Sequence, residues 1–562
     1  MPGPSPSFDE RLETALRRHG LTAFLALAII GLVLAWRCRF IQDDAFISFT
    51  YARNLVEGRG LTWSGARIEG YTNPLWVLWI ALGLRCGADA IAWSWLGGMI
   101  SFAATLVATW RLALRLLDRA LPALLTVALL VTNYSVLAYA TGGLETMAQA
   151  ALLAWAAVAA VDLQRGSARD ARTAATLSLL LSGAIMIRPD SALPSLVLVA
   201  WAALALLRRR NSRSTWVALV LPAALVLGPW LGWKLAYYGR LLPNTFYAKT
   251  GVTGAMVANG AIYIGRFLHW YRLWPVIAVG LAALAVRRRD LDARLLAPLV
   301  IVVSWLAYIM LVGGDFMEFR LLVPVTPFLF LLLAHLVCAQ VAPLLRGQTA
   351  LVALLVVALL AWSSVHHART FRTQTADQAL DSIPALADFY KVYPDGDWSV
   401  IGNALRRGLA TADALVALDA VGAIPWYSGL RTVDQLGLND AFVAGHGLRA
   451  DASYRRPGHQ RHASLAYLRE RGVNFVIGHP TLVPLDLFAV AGNDPQWLQM
   501  AGDWVTRTAP LNPEPIGHVR LVLLPVRPGQ GLLAWYLTPT PALDAAIVGG
   551  GWPVWDFDTG AR

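Results

Sequence analysis

The sequence predicts an all-α polytopic membrane domain of about 11 transmembrane helices, followed by a smaller mixed α/β domain outside the membrane. Composition is the first reason: of 562 residues, 57% are hydrophobic and 15% are charged, whereas an ordinary soluble domain carries about a quarter charged residues. Spacing is the second reason, because apolar runs of roughly 17 to 25 residues, the length that crosses the hydrocarbon core, recur before residue 366. Beyond that residue the runs shorten and the charges balance.

Apolar runs in the first 365 residues are the predicted spans. They lie at residues 21–38, 91–110, 121–139, 145–162, 173–187, 191–207, 215–237, 263–286, 295–312, 321–342 and 348–365. A further run, Pro74–Leu84, is about 11 residues long, which is too short to cross a bilayer. Its length is typical of an interfacial or re-entrant helix, so we expect it to lie at the membrane surface.

The net charge of +12 indicates an orientation in the bilayer rather than a nucleic-acid partner. From residue 366 onward there are 16 Lys and Arg against 18 Asp and Glu, so the whole basic excess lies in the membrane half. If Pro74–Leu84 does not span, every basic cluster falls on the side of the basic N-terminus. We therefore expect a multi-pass protein of the cytoplasmic membrane, with its N-terminus in the cytoplasm and its C-terminus outside. The clusters are Arg111/Arg115/Arg119, Arg165/Arg169/Arg172, Arg208/Arg209/Arg210/Arg213, Arg287/Arg288/Arg289 with Arg294, and Arg346.

Two domains are expected: a transmembrane domain at residues 1–365, with a large first outer loop at 39–90, and an extracytoplasmic α/β domain at 366–562. In the second domain, short apolar runs predict buried strands, and one segment between them predicts a helix. The strands are expected at Leu415–Leu418, Ala420–Tyr427, Arg431–Gln435, Asn474–Gly478 and Val519–Val526, and the helix at Ala463–Arg471.

Asp43 and Asp44 come a few residues after the first span and begin the first outer loop. Ionisable residues at this depth cost free energy unless they face a cavity or a partner, which makes them candidate functional residues. A carboxylate can accept the proton of an attacking hydroxyl without a metal. Neighbours in sequence usually point apart, so we expect one of the two to be that catalytic base. The alternative is a helix cap or a solvated loop pair.

The same loop holds Arg53, Glu69, Tyr71 and Asn73, a mixture of charged, amide and aromatic side chains that suits sugar hydroxyls and phosphates. We expect these four to bind substrate, and the second acid of the pair to orient Arg53 or a substrate hydroxyl. An acidic pair by itself would be equally consistent with a functional role and with a helix cap. The charged, amide and aromatic residues of the same loop favour the functional role.

Glu145 is a second outer carboxylate, which is either catalytic or stabilises the N-terminus of the next span. Arg188 and Asp190 join two spans through a tight turn, where the arginine either pairs with Asp190 or binds a phosphate bidentately. The remaining outer loops add four substrate-binding candidates: Asn244, Lys249, Asp315 and Arg320. Lys249 suits a phosphate as a point charge, whereas a local ion pair is the competing explanation for Asp315 and Arg320.

The ten His residues show no metal-ligand spacing, and the sequence has no Walker loop, nucleophile elbow or Cys-rich metal site. We therefore expect no metal site and no cofactor, although the sequence leaves room for a divalent cation. The absence of a Gly-rich phosphate cradle argues against cytosolic nucleotide chemistry.

Residues 43–63, DDAFISFTYARNLVEGRGLTW, and 68–76, IEGYTNPLW, resemble the first outer loop of the polytopic glycosyltransferases of the C fold (GT-C), which use polyprenyl-phosphate sugars. Among these, the chain is most similar to the actinobacterial terminal arabinofuranosyltransferases. Shorter segments extend the resemblance over most of the chain. They are Gly-Leu-Glu145, Arg-Pro-Asp190, Pro-Asn-Thr245, Gly-Gly-Asp315, DAVGAIPWY at 419–427 and TVDQLGLND at 432–440.

The resemblance implies that Asp43 or Asp44 is the catalytic carboxylate and that Glu145 corresponds to a second acid of the family. It also implies a polyprenyl-phosphate donor, decaprenyl phosphate in the arabinofuranose case, and a cell-envelope glycan as the acceptor. Many members of the superfamily transfer mannose, glucose or aminoarabinose, so a hexosyltransferase is the alternative within this class. Activated nucleotide sugars are confined to the cytosol, so a transferase that works outside needs a lipid-linked donor.

Lys249, Arg188, Arg53 and Arg320 are the candidates for binding the donor phosphate. Two other classes of function stay open. A lipid-linked-sugar flippase or transporter would bind near the bilayer midplane through broken helices and internal repeats, and no repeat is visible in this sequence. A membrane-anchored glycan-binding protein would tolerate replacement of Asp43 and Asp44, whereas a transferase would not.

Overall fold

The structure, a computed structural model, describes residues 8–249, 252–287, 292–345, 348–371, 380–389, 397–409, 412–450, 456–491, 495–508 and 516–559. Helices make up the part before residue 371, and the first strand begins at Leu415. Nine helices in the described ranges are long and apolar enough to cross a membrane, and a sharply bent pair makes a tenth. The chain is a multi-pass membrane protein.

Sixteen α-helices form the helical half as described. They are α1 (Phe8–Arg37), α2 (Asp43–Val56), α3 (Pro74–Arg85), α4 (Ala90–Leu117), α5 (Ala120–Val131), α6 (Tyr134–Tyr139), α7 (Thr146–Arg165), α8 (Asp170–Ile187), α9 (Ala192–Arg208), α10 (Arg213–Tyr238), α11 (Asn244–Ala248), α12 (Gly254–Trp270), α13 (Leu273–Arg287), α14 (Leu296–Val312), α15 (Thr326–His335) and α16 (Thr349–Thr370). Short 3₁₀ and π turns extend α9, α14 and α15 to Pro189–Arg208, Ala293–Val312 and Arg320–Leu345.

Nine of the eleven predicted spans coincide with these nine long helices, and the other two are broken. The run at 121–139 divides into α5 and α6 because the Asn133 side chain accepts the Val136 N–H and starts a new helix. The run at 263–286 divides into α12 and α13, which meet at 87° beside Arg272, a residue with φ of 52°. Nine of the predicted spans are therefore continuous helices, and two are interrupted within their apolar runs.

The broken run at 121–139 still connects the two ends of the helix bundle. Glu13 accepts the Ala120 N–H at 2.7 Å at one end, and the Gln42 N–H donates to Gly142 O at 3.1 Å at the other. The loops predicted to be cytoplasmic gather at the first end, where Arg165 bonds Arg115 O and Asp9 accepts the Thr349 N–H. The membrane orientation stays a prediction, and three residues of the basic clusters lie outside the described residues: Arg288, Arg289 and Arg346.

The first outer loop is more ordered than expected. Asp43 and Asp44 are the first two residues of α2, a 14-residue helix that the sequence analysis treated as loop. The short apolar run that follows forms α3, whose length of 12 residues agrees with the prediction that it does not cross. Pro74 at its first position fits a helix N-terminus, because a first-turn N–H has no intrahelical partner to lose.

The C-terminal α/β part contains eight short helices and nine strands within the described residues. The helices are α17 (Ile383–Phe389), α18 (Asp397–Leu409), α19 (Ala423–Ser428), α20 (Ala441–His446), α21 (Leu465–Glu470), α22 (Leu487–Ala491), α23 (Pro495–Thr508) and α24 (Pro541–Gly549). The strands are β1 (Leu415–Leu418), β2 (Arg431–Asp434), β3 (Leu448–Arg449), β4 (Arg461–His462), β5 (Phe475–Gly478), β6 (Leu482–Pro484), β7 (Gly517–Arg527), β8 (Gln530–Tyr536) and β9 (Val554–Thr559). The division of the chain at residue 365 remains a prediction.

One sheet organises this part, with strand order β2-β1-β5-β8-β7-β9, while β6 pairs with β8 and β3 with β4. Strands β2, β1 and β5 run parallel to one another, and β8, β7 and β9 are antiparallel. Four of the five predicted strands are confirmed. The expected strand at Ala420–Tyr427 is wrong, because Gly422 precedes α19 and the N–H groups of Gly422 and Ala423 bind a side chain of α2.

A candidate active-site cleft between the helical half and the sheet

A cleft of about 640 Å³, including the part open to solvent, separates the helical half from the carboxyl ends of β1, β2 and β5. The helical half contributes Asp43, Asp44 and Lys249 to its lining. The α/β part contributes Asp419, Arg456, His459 and His479. Acidic and basic side chains therefore line one concave space, which is the usual setting of a ligand site.

Asp43 joins the two halves. Its carboxylate is buried and accepts the N–H groups of Gly422 at 3.1 Å and Ala423 at 2.7 Å. A Cβ added at Gly422 would overlap the backbone oxygen and the carboxylate of Asp43, so only glycine allows this approach. Burial raises the pKa of Asp43 to about 7, although the two N–H donors oppose the rise. Both carboxylate oxygens are thus engaged in fixing the α/β part over α2.

Asp44 faces the cleft. Consecutive side chains on a helix point about 100° apart, so Asp44 does not share the contacts of Asp43. Its side chain is half-buried and lines the cleft, and its carboxylate has no hydrogen bond or ion pair within the described residues. Burial raises its pKa, which Arg320 and Lys249 partly counteract. A raised pKa and free lone pairs are what a general base requires.

A buried polar network lies next to the first outer loop. The Glu145 carboxylate accepts Asn73 Nδ2 at 2.7 Å and Arg188 Nη1 at 2.8 Å. Arg188 also holds Asp190 with Nη2 at 2.8 Å. Burial opposes ionisation of Glu145, but the nearby Arg188 guanidinium lowers its pKa. Four predicted site residues are therefore brought together, with Arg188 paired to carboxylates rather than free for a phosphate.

Lys249 is the cation of the helical half that faces the cleft. It lies just beyond α11, is accessible to solvent, and forms no ion pair within the described part of the chain. Its stem packs against Gly458, where an added Cβ would come within 3.0 Å of Lys249 Cε. Desolvation lowers the pKa of Lys249, while Asp315 and Asp44 raise it. Of the four predicted phosphate ligands, Arg188, Arg53 and Arg320 are engaged in other contacts, whereas the charged group of Lys249 is available to a ligand.

Other predicted site residues are engaged in structural contacts. Arg320 pairs with Asp315 at 2.7 Å, which agrees with the competing explanation of a local ion pair. Arg53 stacks on Trp426 with 4.4 Å from its guanidinium carbon to the ring centroid, and donates to Trp426 O at 2.8 Å. Neither these three predicted residues nor Trp426 lines the cleft within the described residues.

The contacts of Glu69, Tyr71 and Asn244 likewise hold the loop in place. Glu69 forms a buried ion pair with Lys234 at 2.9 Å, and Tyr71 bonds the hydroxyl of a tyrosine in α10 at 3.0 Å. Asn244 Nδ2 donates to Gly437 O at 2.8 Å. These residues secure the first loop against α10 and the α/β part, and their expected role in substrate binding stays a prediction.

The sequence analysis missed the polar wall of the α/β part. Asp419 follows β1, His479 follows β5, and Arg456 and His459 flank a turn before β4. Since adjacent parallel strands end at the same edge, the polar residues after β1 and β5 could have been grouped from the sequence. In the described residues, no three His, Cys, Asp or Glu side chains are arranged to hold a metal ion.

The sequence of the α/β part matches a family described as a domain of unknown function (DUF8728) over residues 392–519. The chain is also 28% identical over 284 residues to the terminal β-(1→2)-arabinofuranosyltransferase of Mycobacterium tuberculosis. That alignment covers 47% of this chain and 44% of the relative, so the chain spans less than half of the length of this relative. The resemblance to the arabinofuranosyltransferases is thereby confirmed over part of the sequence.

Two crystal structures of ArnT from Cupriavidus metallidurans share the architecture. The form bound to undecaprenyl phosphate aligns with a TM-score of 0.54 at 13% identity, over 92% of this chain and 99% of that one. The apo form aligns with a TM-score of 0.51 at 15% identity over the same shares. The predicted architecture, a polytopic helical half followed by a smaller α/β part, is confirmed, and it is shared with ArnT.

Proposed function

We propose, from the fold that this chain shares with ArnT, that it is a membrane glycosyltransferase. It moves a sugar from a polyprenyl-phosphate donor to a hydroxyl group of a cell-envelope glycan on the outer face of the cytoplasmic membrane. The observation that carries this proposal is Asp44, a half-buried carboxylate that faces the cleft without a partner within the described residues. Burying an unpaired carboxylate costs free energy, and active sites are where such a cost is retained.

Asp44 acts as the general base in the proposed reaction. It accepts the proton of the acceptor hydroxyl as that oxygen attacks the anomeric carbon of the donor sugar. The bond between the anomeric carbon and the phosphate oxygen breaks, and polyprenyl phosphate leaves with the bonding electrons. Lys249, the cation of the helical half that faces the same cleft, stabilises the charge that develops on the phosphate. No metal is needed for these steps.

Asp43 and Glu145 serve the reaction as positioning residues. Asp43 holds the segment after β1 over the cleft through two backbone N–H groups. Glu145 connects Asn73 of the first loop to Arg188 at the end of α8. Each oxygen of these two carboxylates already accepts a hydrogen bond, whereas the Asp44 carboxylate accepts none within the described residues. This assignment narrows the acidic pair predicted from the sequence to one base and one positioning acid.

Arabinofuranose is the sugar we propose, and decaprenyl phosphate its carrier. The sequence similarity to an arabinofuranosyltransferase supports this choice over a hexose. Transfer of mannose or another hexose is the alternative within the same reaction type. The chemistry of Asp44 and Lys249 is the same for every one of these sugars, so the donor specificity has to be measured.

Lipid-linked-sugar transport is the competing function from another class. A carrier binds its cargo near the bilayer midplane, usually between internal repeats. Asp44 and Lys249, two charged groups without an ion pair within the described residues, lie instead at one end of the helix bundle beside the α/β part. A cleft at that position favours chemistry at the membrane surface.

The experiment is a transfer assay with purified full-length protein, radiolabelled polyprenyl-phosphate arabinofuranose or mannose, and a neutral oligosaccharide acceptor. We expect Asp44→Asn to reduce transfer by about 10²- to 10⁴-fold, the range for loss of a general base. Asp43→Asn keeps an amide oxygen for one backbone N–H, so we expect a smaller loss. Equal transfer by wild type and Asp44→Asn would refute the role of Asp44 as the general base. Movement of labelled lipid across vesicle membranes without sugar transfer would favour a carrier.

A further inference from the structure

The wall of the cleft opposite Asp44 is built by the carboxyl ends of three neighbouring parallel strands. Asp419 follows β1, and His479 follows β5, which pairs with β1. Leu436 and Leu438 follow β2 on the other side of β1 and line the same cleft. In α/β sheets, ligands bind outside the carboxyl ends of parallel strands because side chains and backbone groups of successive loops converge there. The α/β part therefore presents a ligand-binding edge of its own.

The polar groups of this edge include the acceptors of Asp419 and His459 and one cation, Arg456, whose charge is already compensated by Asp381 at 2.7 Å. Asp419 Oδ2 lies 3.5 Å from His479 Nδ1, and Asp419 Oδ1 is buried with no hydrogen-bond partner within the described residues. His459 Nδ1 lies 3.0 Å from Pro457 O. A proton on that nitrogen completes this hydrogen bond and leaves Nε2 as an acceptor. Burial lowers the pKa of His459 to about 3, so its ring is neutral near pH 7.

An edge of this composition suits hydroxyl groups better than a phosphate. A carboxylate accepts hydrogen bonds from sugar hydroxyls but repels a phosphate anion. The indole ring of Trp398 packs edge-on against His479, with 5.9 Å between centroids, and limits the movement of its imidazole. Lys249 lines the cleft from the helical half, so a donor phosphate is favoured beside Lys249. A neutral sugar is favoured beside Asp419, on the opposite wall.

We propose that Asp419, His479 and His459 form the acceptor subsite and bind the hydroxyl groups of the terminal sugar of a neutral glycan. Asp419 and His479 are positioning residues in this subsite, since they orient one hydroxyl toward Asp44 rather than take its proton. This inference rests on the proposed function, because it presumes that the second substrate of the cleft is a saccharide. The ligand class is a neutral saccharide with neighbouring hydroxyl groups.

The first test measures saccharide binding to the full-length protein in nanodiscs without any donor. The probes are an octyl arabinofuranosyl disaccharide and an octyl mannosyl disaccharide, followed by saturation-transfer NMR titration. For the probe that the wild type binds better, we expect Asp419→Asn and His479→Gln each to weaken binding at least tenfold. The matched control is Asp413→Asn, at the opposite end of β1, where an exposed carboxylate pairs with Arg431 at 3.1 Å. We expect that control to bind like the wild type.

The second test uses initial rates of transfer. We expect Asp419→Asn to raise the KM for the acceptor at least tenfold and to leave the KM for the lipid donor unchanged. Binding equal to the wild type in both variants, binding of neither probe by the wild type, or a rise in the donor KM alone would overturn the subsite. If the wild type transfers from no lipid donor but the binding difference persists, the proposed reaction fails while the saccharide subsite stands. Thermal unfolding of each variant checks that the fold is retained.

Discussion

Two ion pairs at opposite ends of the helix bundle have similar contact distances but very different exposure to water. At the basic end, Arg115 and Asp162 lie 2.6 Å apart with 26% and 37% of their side chains exposed. At the cleft end, Arg188 and Glu145 lie 2.8 Å apart with 14% and 2% exposed. The contact distances are alike, so the difference between the ends is the amount of water around each charge.

Exposure to water determines how much each ion pair contributes to the free energy of unfolding. An exposed ion pair is worth about 0 to 1 kcal/mol, because solvent already stabilises both charges. Removing one partner of a buried pair costs about 3 to 5 kcal/mol, because the other charge is left without compensation. The cleft end is therefore where an unpaired charge is most costly, and Asp44 is a charge of that kind. This cost is the reason why we propose a functional role for Asp44.

The largest effect is expected at Arg188, which holds both Glu145 and Asp190. Arg188→Met should destabilise the protein by about 3 to 5 kcal/mol, since two buried carboxylates lose their cation. Denaturant unfolding in detergent measures the change. Arg188→Lys, which keeps the charge but loses the bidentate contact, should recover part of it. A loss below about 1 kcal/mol in Arg188→Met would mean that the cleft end is as well hydrated as the basic end.

The contact between Asp43 and Gly422 is expected to give the next largest effect. Gly422→Ala forces a Cβ onto the Asp43 carboxylate, so the segment after β1 must move. Overpacking of this kind costs about 1 to 3 kcal/mol, and we expect transfer to fall as well because Asp419 moves with the segment. Gly445→Ala is the matched control, because Gly445 lies in α20 with open space around it. Equal activity of the two variants would show that transfer does not require the close contact between Asp43 and Gly422.

The pH dependence of transfer is expected to follow the ionisation of Asp44. On the acidic side of the profile the transfer rate should fall tenfold per pH unit, which corresponds to about 1.4 kcal/mol per unit. The base must be ionised to accept a proton, so the rate falls as the pH drops through its pKa. Burial raises that pKa, and the fall should therefore begin above the ordinary value of 3.8 for an aspartate. Asp43 also titrates, with a pKa of about 7, so the Asp43→Asn variant is needed to separate the two carboxylates. We expect the acidic limb to persist in Asp43→Asn. Disappearance of the limb in that variant would assign it to Asp43.

Much of the fold could be predicted from the sequence because lipid imposes a length rule on apolar helices. The rule located nine continuous helices but not the breaks at Asn133 and Arg272, which depend on single residues within apolar runs. The acidic pair, which lines the cleft, could also be selected from the sequence, because ionisable residues near a bilayer cost free energy unless they face a cavity or a partner.

The division of roles within the acidic pair required the fold. Asp43 is bound by Gly422 and Ala423, which lie 379 and 380 residues further along the chain. Contacts of such separation leave no pattern within a single sequence. Asp419 and His479 are an intermediate case, because each directly follows a short strand and the convergence of parallel strands at one edge is a general rule.

The smallest effect is expected at the basic end, and it completes the comparison. Asp162→Asn removes the carboxylate that pairs with Arg115, but water can hydrate the arginine that remains. We expect a loss of about 0.2 to 1 kcal/mol in denaturant unfolding and unchanged transfer. Salt should reduce even this loss, because screening weakens exposed pairs more than buried ones. A loss comparable to that of Arg188→Met would mean that burial does not separate the two ends, and the position of Asp44 would then carry no unusual cost in free energy.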